Sequence, residues 1–160
     1  MPTNFTKTEF LDFLITAKVN TYASQETHPV PVPLLPGSKQ LEYTQDQFLY
    51  RDIYYGGDSF IGQETVYYKG EPIWAMAYAG GLMENIPPGI KPEAIYNFLG
   101  EALRLVSPET PYRGPKHYQN GDFTYIDRHE MENYLFWGTE AISFQGRPVY
   151  SLHYSGGWIK

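Results

Sequence analysis

The sequence predicts an α+β domain that uses one unit twice. That unit is a helix followed by about four antiparallel strands, with the helices packed on an antiparallel sheet about a pseudo-twofold axis. Three observations predict it. Residues 60–82 (FIGQETVYYKGEPIWAMAYAGGL) and 136–158 (FWGTEAISFQGRPVYSLHYSGGW) match at an offset of 76, with eight identities in 23 ungapped positions. Ordinary residue frequencies would give about one or two by chance. The match also extends upstream, pairing Gly37-Ser38-Lys39 with Gly114-Pro115-Lys116 and Phe48-x-Tyr50-x-Asp52 with Phe123-x-Tyr125-x-Asp127. Finally, each half opens on an apolar stripe of helical period and continues in runs rich in Tyr, Phe and Val, which favour strands. The repeats span about 6–84 and 90–160 of a single domain of 160 residues, a length that suits one core.

The elements follow in order. Thr6 and Glu9 have the spacing of a capping box. Phe10, Leu11, Phe13, Leu14 and Ala17 then recur with helical period, giving a helix from about Lys7 to Asn20. Four prolines between His28 and Ser38 exclude a helix or central strand there and give an extended loop. Short strands are expected near 41–44 and 48–55, then a turn at Gly56-Gly57-Asp58. A long hairpin of 60–68 and 72–79 turns at Lys69-Gly70-Glu71. After the breaker ENIPPG, Pro92 starts a second helix whose stripe runs from Ala94 to about Val106. A proline-bearing loop leads to strands near 117–119 and 123–127 around Asn120-Gly121. Residues 129–133 read ambiguously, with a single helical turn as the reading offered, and 135–144 with 148–155 repeat the long hairpin.

Composition excludes several function classes. A net charge of −6 without a Lys/Arg cluster argues against a nucleic-acid partner. The absence of cysteine removes disulfide and thiol chemistry. No apolar run approaches a membrane span and no signal peptide is evident, so the expectation is a cytoplasmic protein with no membrane partner. His28, His117, His129 and His153 lack zinc-site spacing, and no phosphate or dinucleotide fingerprint is present. Neither a metal nor a cofactor is therefore expected.

The repeat singles out carboxylates. Strand alternation places Phe60, Gly62, Glu64, Val66 and Tyr68 on one face, and Phe136, Gly138, Glu140, Ile142 and Phe144 on the matching face. Asp52 and Asp127 likewise sit beside aromatics. A carboxylate among apolar groups must be paired, hydrogen-bonded or raised in pKa, and such groups in a cleft are site candidates. One reading is a ligand pocket formed by Glu64, Trp74, Tyr78, Tyr50, Asp52, Glu140 and Tyr154, suited to a small organic ligand that is cationic or aromatic. The competing reading pairs each glutamate with Arg51, Arg104 or Arg147, or with tyrosine hydroxyls, in a structural network. Gly62 and Gly138, two residues before each glutamate, either seat a large aromatic from across the sheet or leave room for a ligand. The copies differ where Trp74, Met76 and Tyr68 become Tyr150, Leu152 and Phe144. The expectation is that the first copy specialises around Glu64 while Glu140 supports the fold.

The stretch YRDIYYGGDSFIGQETVYYKGEPIWAMAYAGG, with the opening Phe10-Leu11 and Phe13-Leu14 pairs and the closing Tyr154-x-Gly156-Gly157, resembles an uncharacterised bacterial domain family. Its members occur alone or behind an N-terminal helix-turn-helix module in XRE-type regulators, and this chain lacks that module. The resemblance implies no known activity. The leading functional expectation is a small-molecule-binding or sensing domain. The alternatives are a hydrolase using Glu64 and Glu140 as general acid and base, and a protein-interaction module, a homodimer included, because Tyr and Trp also suit interfaces.

Overall fold

The computed structural model describes residues 5–24 and 28–160. Helix α1 (Lys7–Asn20) begins where the capping box places it: Glu9 N–H donates to Thr6 Oγ1 at 3.1 Å and Thr6 N–H donates to Glu9 Oε2 at 2.6 Å. Its buried stripe is Phe10, Phe13, Leu14, Ala17 and, at the same period, Lys18. Four strands follow: β1 (Lys39–Gln45), β2 (Phe48–Gly56), β3 (Ser59–Tyr68) and β4 (Glu71–Leu82). The second half gives α2 (Pro92–Leu103), β5 (His117–Asn120), β6 (Phe123–Glu132), β7 (Leu135–Phe144) and β8 (Arg147–Trp158).

The strands form one antiparallel eight-stranded sheet in the order β1-β2-β3-β4-β8-β7-β6-β5. The two halves are joined at its centre by β4 and β8, where Tyr78 lies opposite Tyr154, its own counterpart at the 76-residue offset. Both long hairpins turn through two residues of positive φ, Lys69-Gly70 and Gln145-Gly146. That is the turn whose twist suits flanking strands. The register also shifts at matched places, between Val66 and Tyr67 and between Ile142 and Ser143.

Alternation gives the sheet two unlike faces. Tyr50, Val66, Trp74, Met76, Ile142 and Leu152 on one face are fully buried. Both helices touch this face. Phe10 meets Trp158 with ring centroids 4.4 Å apart, Phe13 meets Phe48 at 4.9 Å, and Phe98 of α2 meets Phe123 at 5.1 Å. Each such buried ring or aliphatic side chain stabilises the fold by roughly 1.5–3 kcal/mol. The opposite face is open, with Ile61, Ile126 and Trp137 exposed. Among the described residues no helix is long and apolar enough to cross a membrane.

Two elements differ from expectation. Helix α2 stops at Leu103 because the next amides bond three residues back, Leu105 to Ala102 and Val106 to Leu103, which tightens the chain out of the α-helix ahead of Pro108. Residues 129–132 are strand, since β6 pairs along its length with β7, through His129–Gly138 to Glu132–Leu135. Cross-strand pairing supplies there what the polar sequence pattern does not show.

Candidate functional site

Glu64 and Glu140 lie on the covered face, each 0% exposed. Lys18 sits one turn beyond Leu14 on the buried stripe of α1, which carries its amine down onto β3. Its Nζ donates to Glu64 Oε2, to Tyr22 Oη at 3.2 Å and to the Tyr112 carbonyl at 2.8 Å, so all three donors are used. Burial pulls the Lys18 pKa below its ordinary value, against the charge of Glu64. Glu140 is held by Arg113 from the loop after α2. The guanidinium Nε donates to Oε2 at 3.1 Å and Nη2 to Oε1 at 2.6 Å, a two-pronged pairing. Tyr125 and Tyr150 add hydroxyl bonds at 2.7 Å each.

The two glutamates therefore differ. Glu140 accepts four bonds. Among the described residues Glu64 Oε1 has no hydrogen-bond partner, and Arg113 Nη1 stands 4.0 Å from it. The cause lies in the sequence. Trp74 occupies the place of Tyr150 and brings no hydroxyl, while Tyr50, the counterpart of Tyr125, has a hydroxyl with no partner of its own among the described residues.

Two aspartates complete the layer. Tyr78 donates to Asp52 Oδ1 at 2.6 Å, and Tyr154 donates to Asp127 Oδ1 at 2.8 Å. The glycines make this reach feasible. A Cβ on Gly62 would lie 2.6 Å from both Tyr78 Cζ and Tyr54 Cβ, and a Cβ on Gly138 2.5 Å from Tyr154 Cζ, so each would clash with the phenol end of the tyrosine. Each tyrosine thus crosses a glycine to meet an aspartate two strands away. Burial first, and the charge of Glu64 second, push the Asp52 carboxyl up to about 7, with the Tyr78 bond opposing. Burial also raises Asp127; the Tyr154 bond opposes it.

A cleft of about 510 Å³ opens between α2 and the β2–β3 hairpin. Tyr54, Phe60 and Tyr96 are among its walls, and it reaches Asp52, Tyr78 and Arg113. Tyr96 ties helix to hairpin by donating to the carbonyls of Gly57 and Asp58 at 3.1 and 3.0 Å. A second cleft, about 560 Å³, lies beside α1 and is lined by Phe10, Trp74, Phe136 and Trp158. A third, about 700 Å³, lies on the open face over Ala77 and Ala79, with Trp137, Arg128 and His153 around it.

The expected site residues are thus distributed. Asp52 and Tyr78 line the α2 cleft. Glu64 pairs across the β2–β3 ladder with Asp52, behind that cleft, and Tyr50 is buried beside it. Trp74 lines the α1 cleft, Tyr154 the open-face cleft, and Glu140 none of the three. The cations foreseen for the glutamates are not those found. Arg51 lies on the other face of β2 and pairs with Glu42 at 2.7 Å, and Arg104 donates to the Ala23 carbonyl. Lys18, Arg113, Tyr22 and Tyr96 were not foreseen. A lysine four residues after Leu14 on the apolar stripe was the available signal for Lys18, whereas Arg113 sits in a loop with no periodicity. Among the described residues no three His, Asp or Glu side chains gather as a metal site.

A family model described as a domain of unknown function, DUF5680, matches residues 52–159. No curated protein matches the chain, and neither does any solved structure.

Proposed function

The chain belongs to the DUF5680 family, a domain of unknown function, and we propose that it is a small-molecule-binding, sensing domain whose ligand occupies the α2 cleft. The observation that carries this reading is the asymmetry of the two glutamates: one copy is saturated, and the copy behind the cleft is left with an unpartnered carboxylate oxygen and an unpartnered tyrosine hydroxyl. Buried polar groups without partners cost about 1–3 kcal/mol each, so they persist where something else recovers that cost. The aromatic walls suit a flat organic ring. A carboxylate poised near neutrality at the end of an aromatic cleft is a recognised mark of a functional site.

The two halves are, in this reading, copies of one unit about a pseudo-twofold through the Tyr78–Tyr154 pair, with the second copy acting as scaffold. The matched turns, register shifts and tyrosine–aspartate bonds support this. A cytoplasmic location and a sensing role fit the resemblance to domains carried behind helix-turn-helix modules. Neither Glu64 nor Glu140 lines any of the three clefts, so no observation favours the pair as general acid and base.

A thermal-shift screen of aromatic amines, nucleosides and sugars tests the reading. A ligand at a hundred times its Kd stabilises by about 2.7 kcal/mol, roughly 5–10 °C for a chain of this size. Hits are expected whose shift is lost in both Glu64→Gln and Phe60→Ala. A broad library that yields only hits indifferent to both variants, or none, counts against the cleft.

A further inference from the structure

The charge and hydrogen-bonding capacity of the buried layer narrow the ligand class, on the premise that the α2 cleft is the binding site. Among the described residues, four buried carboxylates (Asp52, Glu64, Asp127 and Glu140) face two buried cations, Lys18 and Arg113. Both cations are already engaged, Lys18 by three acceptors and Arg113 by the fork to Glu140. His129 adds a weak contact to Asp127 only, at 3.4 Å. Asp52 and Glu64 therefore put carboxylate oxygens at the back of the cleft that the two buried cations do not saturate, with Asp52 ionised above about pH 7. Arg113 keeps N–H donors on Nη1, but its charge is already matched by Glu140 and by Glu64 behind the cleft, so an anion there would face two carboxylates. A neutral ring would leave Glu64 Oε1 as it is.

We propose that the ligand carries a protonated amine with N–H donors, which enters the α2 cleft beside Arg113 and binds Asp52 and Glu64 Oε1. Three observations carry it. Asp52 lines the cleft though only 2% exposed, so a group that reaches it is desolvated and strongly attracted. Glu64 is the cross-strand neighbour of Asp52, one layer behind the cleft lining, and its Oε1, without a hydrogen bond among the described residues, stands 4.0 Å from Arg113 Nη1, itself part of that lining. Tyr22 and Tyr78 hold the guanidinium of Arg113 over their rings at 5.2 and 5.8 Å, so aromatic faces that favour a cation already surround the entry point. A quaternary ammonium has charge but no N–H, and would leave the Glu64 oxygen unpartnered. The ligand is thus a primary or secondary amine, or an amidine, on a flat ring that reaches the walls of Tyr54, Phe60 and Tyr96.

The test is calorimetric titration with three matched probes: 2-phenylethylamine, 2-phenylethanol and trimethyl(2-phenylethyl)ammonium. At pH 8 the amine is expected to bind at least tenfold tighter than either of the others. Its affinity should fall about tenfold per pH unit below 7, as Asp52 takes up its proton. Asp52→Asn should bring the three probes within about threefold of one another, and Glu64→Gln should remove the advantage of the amine over the trimethyl compound. Equal binding by the alcohol or the trimethyl compound, or a preference that survives both substitutions, overturns the inference. Failure of all three probes also overturns it. If neutral ring compounds still perturb the amide signals of Tyr96 and Asn97, the cleft reading stands alone; if nothing perturbs them, both fall.

Discussion

Replacing Asp52 with asparagine should change how stability depends on pH, and the size of the change follows from the burial of one carboxyl. In the folded protein the Asp52 carboxyl titrates near 7, against an ordinary value of 3.8. The folded state therefore holds the proton more tightly than the unfolded chain does. Ionised Asp52 is a burden on the fold, and stability falls as pH rises from about 4 to about 7. Three pKa units at about 1.4 kcal/mol each give about 4 kcal/mol in total, of which about 2.5 kcal/mol accrues between pH 5 and pH 8. Asparagine has the same shape, keeps an oxygen for the Tyr78 hydroxyl and cannot ionise. Urea unfolding of both proteins at pH 5 and pH 8 reads the effect, and subtracting one protein from the other removes groups that titrate in both. The asparagine protein should gain about 2–3 kcal/mol on wild type between the two pH values. A difference constant with pH, or one that moves in favour of wild type, would refute the account of Asp52 as a desolvated carboxyl beside Glu64.

Three other substitutions probe the layer and its supports. Lys18→Met strands the buried Glu64 carboxylate and should cost about 3–5 kcal/mol, with at least half restored by adding Glu64→Gln; a double variant no better than the single would contradict the pairing. Gly62→Ala should cost about 1–3 kcal/mol by forcing Tyr78 off its path to Asp52. Gly57→Ala, where a Cβ meets nothing within 4 Å, should change stability by less than about 0.5 kcal/mol. Equal costs at the two glycines would remove the steric argument. Thr6→Ala should lose about 1 kcal/mol by opening the capping box, and chemical denaturation measures it directly.

The legible parts of this fold were those written in local pattern. Thr6 and Glu9 mark the start of α1, and Lys69-Gly70 and Gln145-Gly146 mark the hairpins. The alternation around Glu64 and Glu140 gives the face on which they lie. The central pairing of β4 with β8 was not legible, because those strands are far apart in sequence and their register depends on tertiary fit. The carboxylates could be found because a charge among apolar neighbours is conspicuous. Their partners could not, with one exception: Lys18 keeps the period of Phe10 and Leu14, a signal passed over because lysine is ordinarily read as solvent-facing. Arg113 and Tyr96 reach the site through the geometry of a loop and of helix docking, which leave no trace in periodicity. The role of Gly62 and Gly138 needed the structure to decide, and it is the tyrosine rings that occupy the space.

Among the described residues the three clefts larger than about 500 Å³ compete for a ligand, and amide chemical-shift mapping with the best-bound ring compound distinguishes them in one experiment. The account predicts that the largest perturbations fall on Tyr54, Phe60, Tyr96 and Asn97, around the α2 cleft and above Asp52. Perturbations centred instead on Trp137 and His153, on the open face, or on Trp74 and Trp158, beside α1, would contradict it.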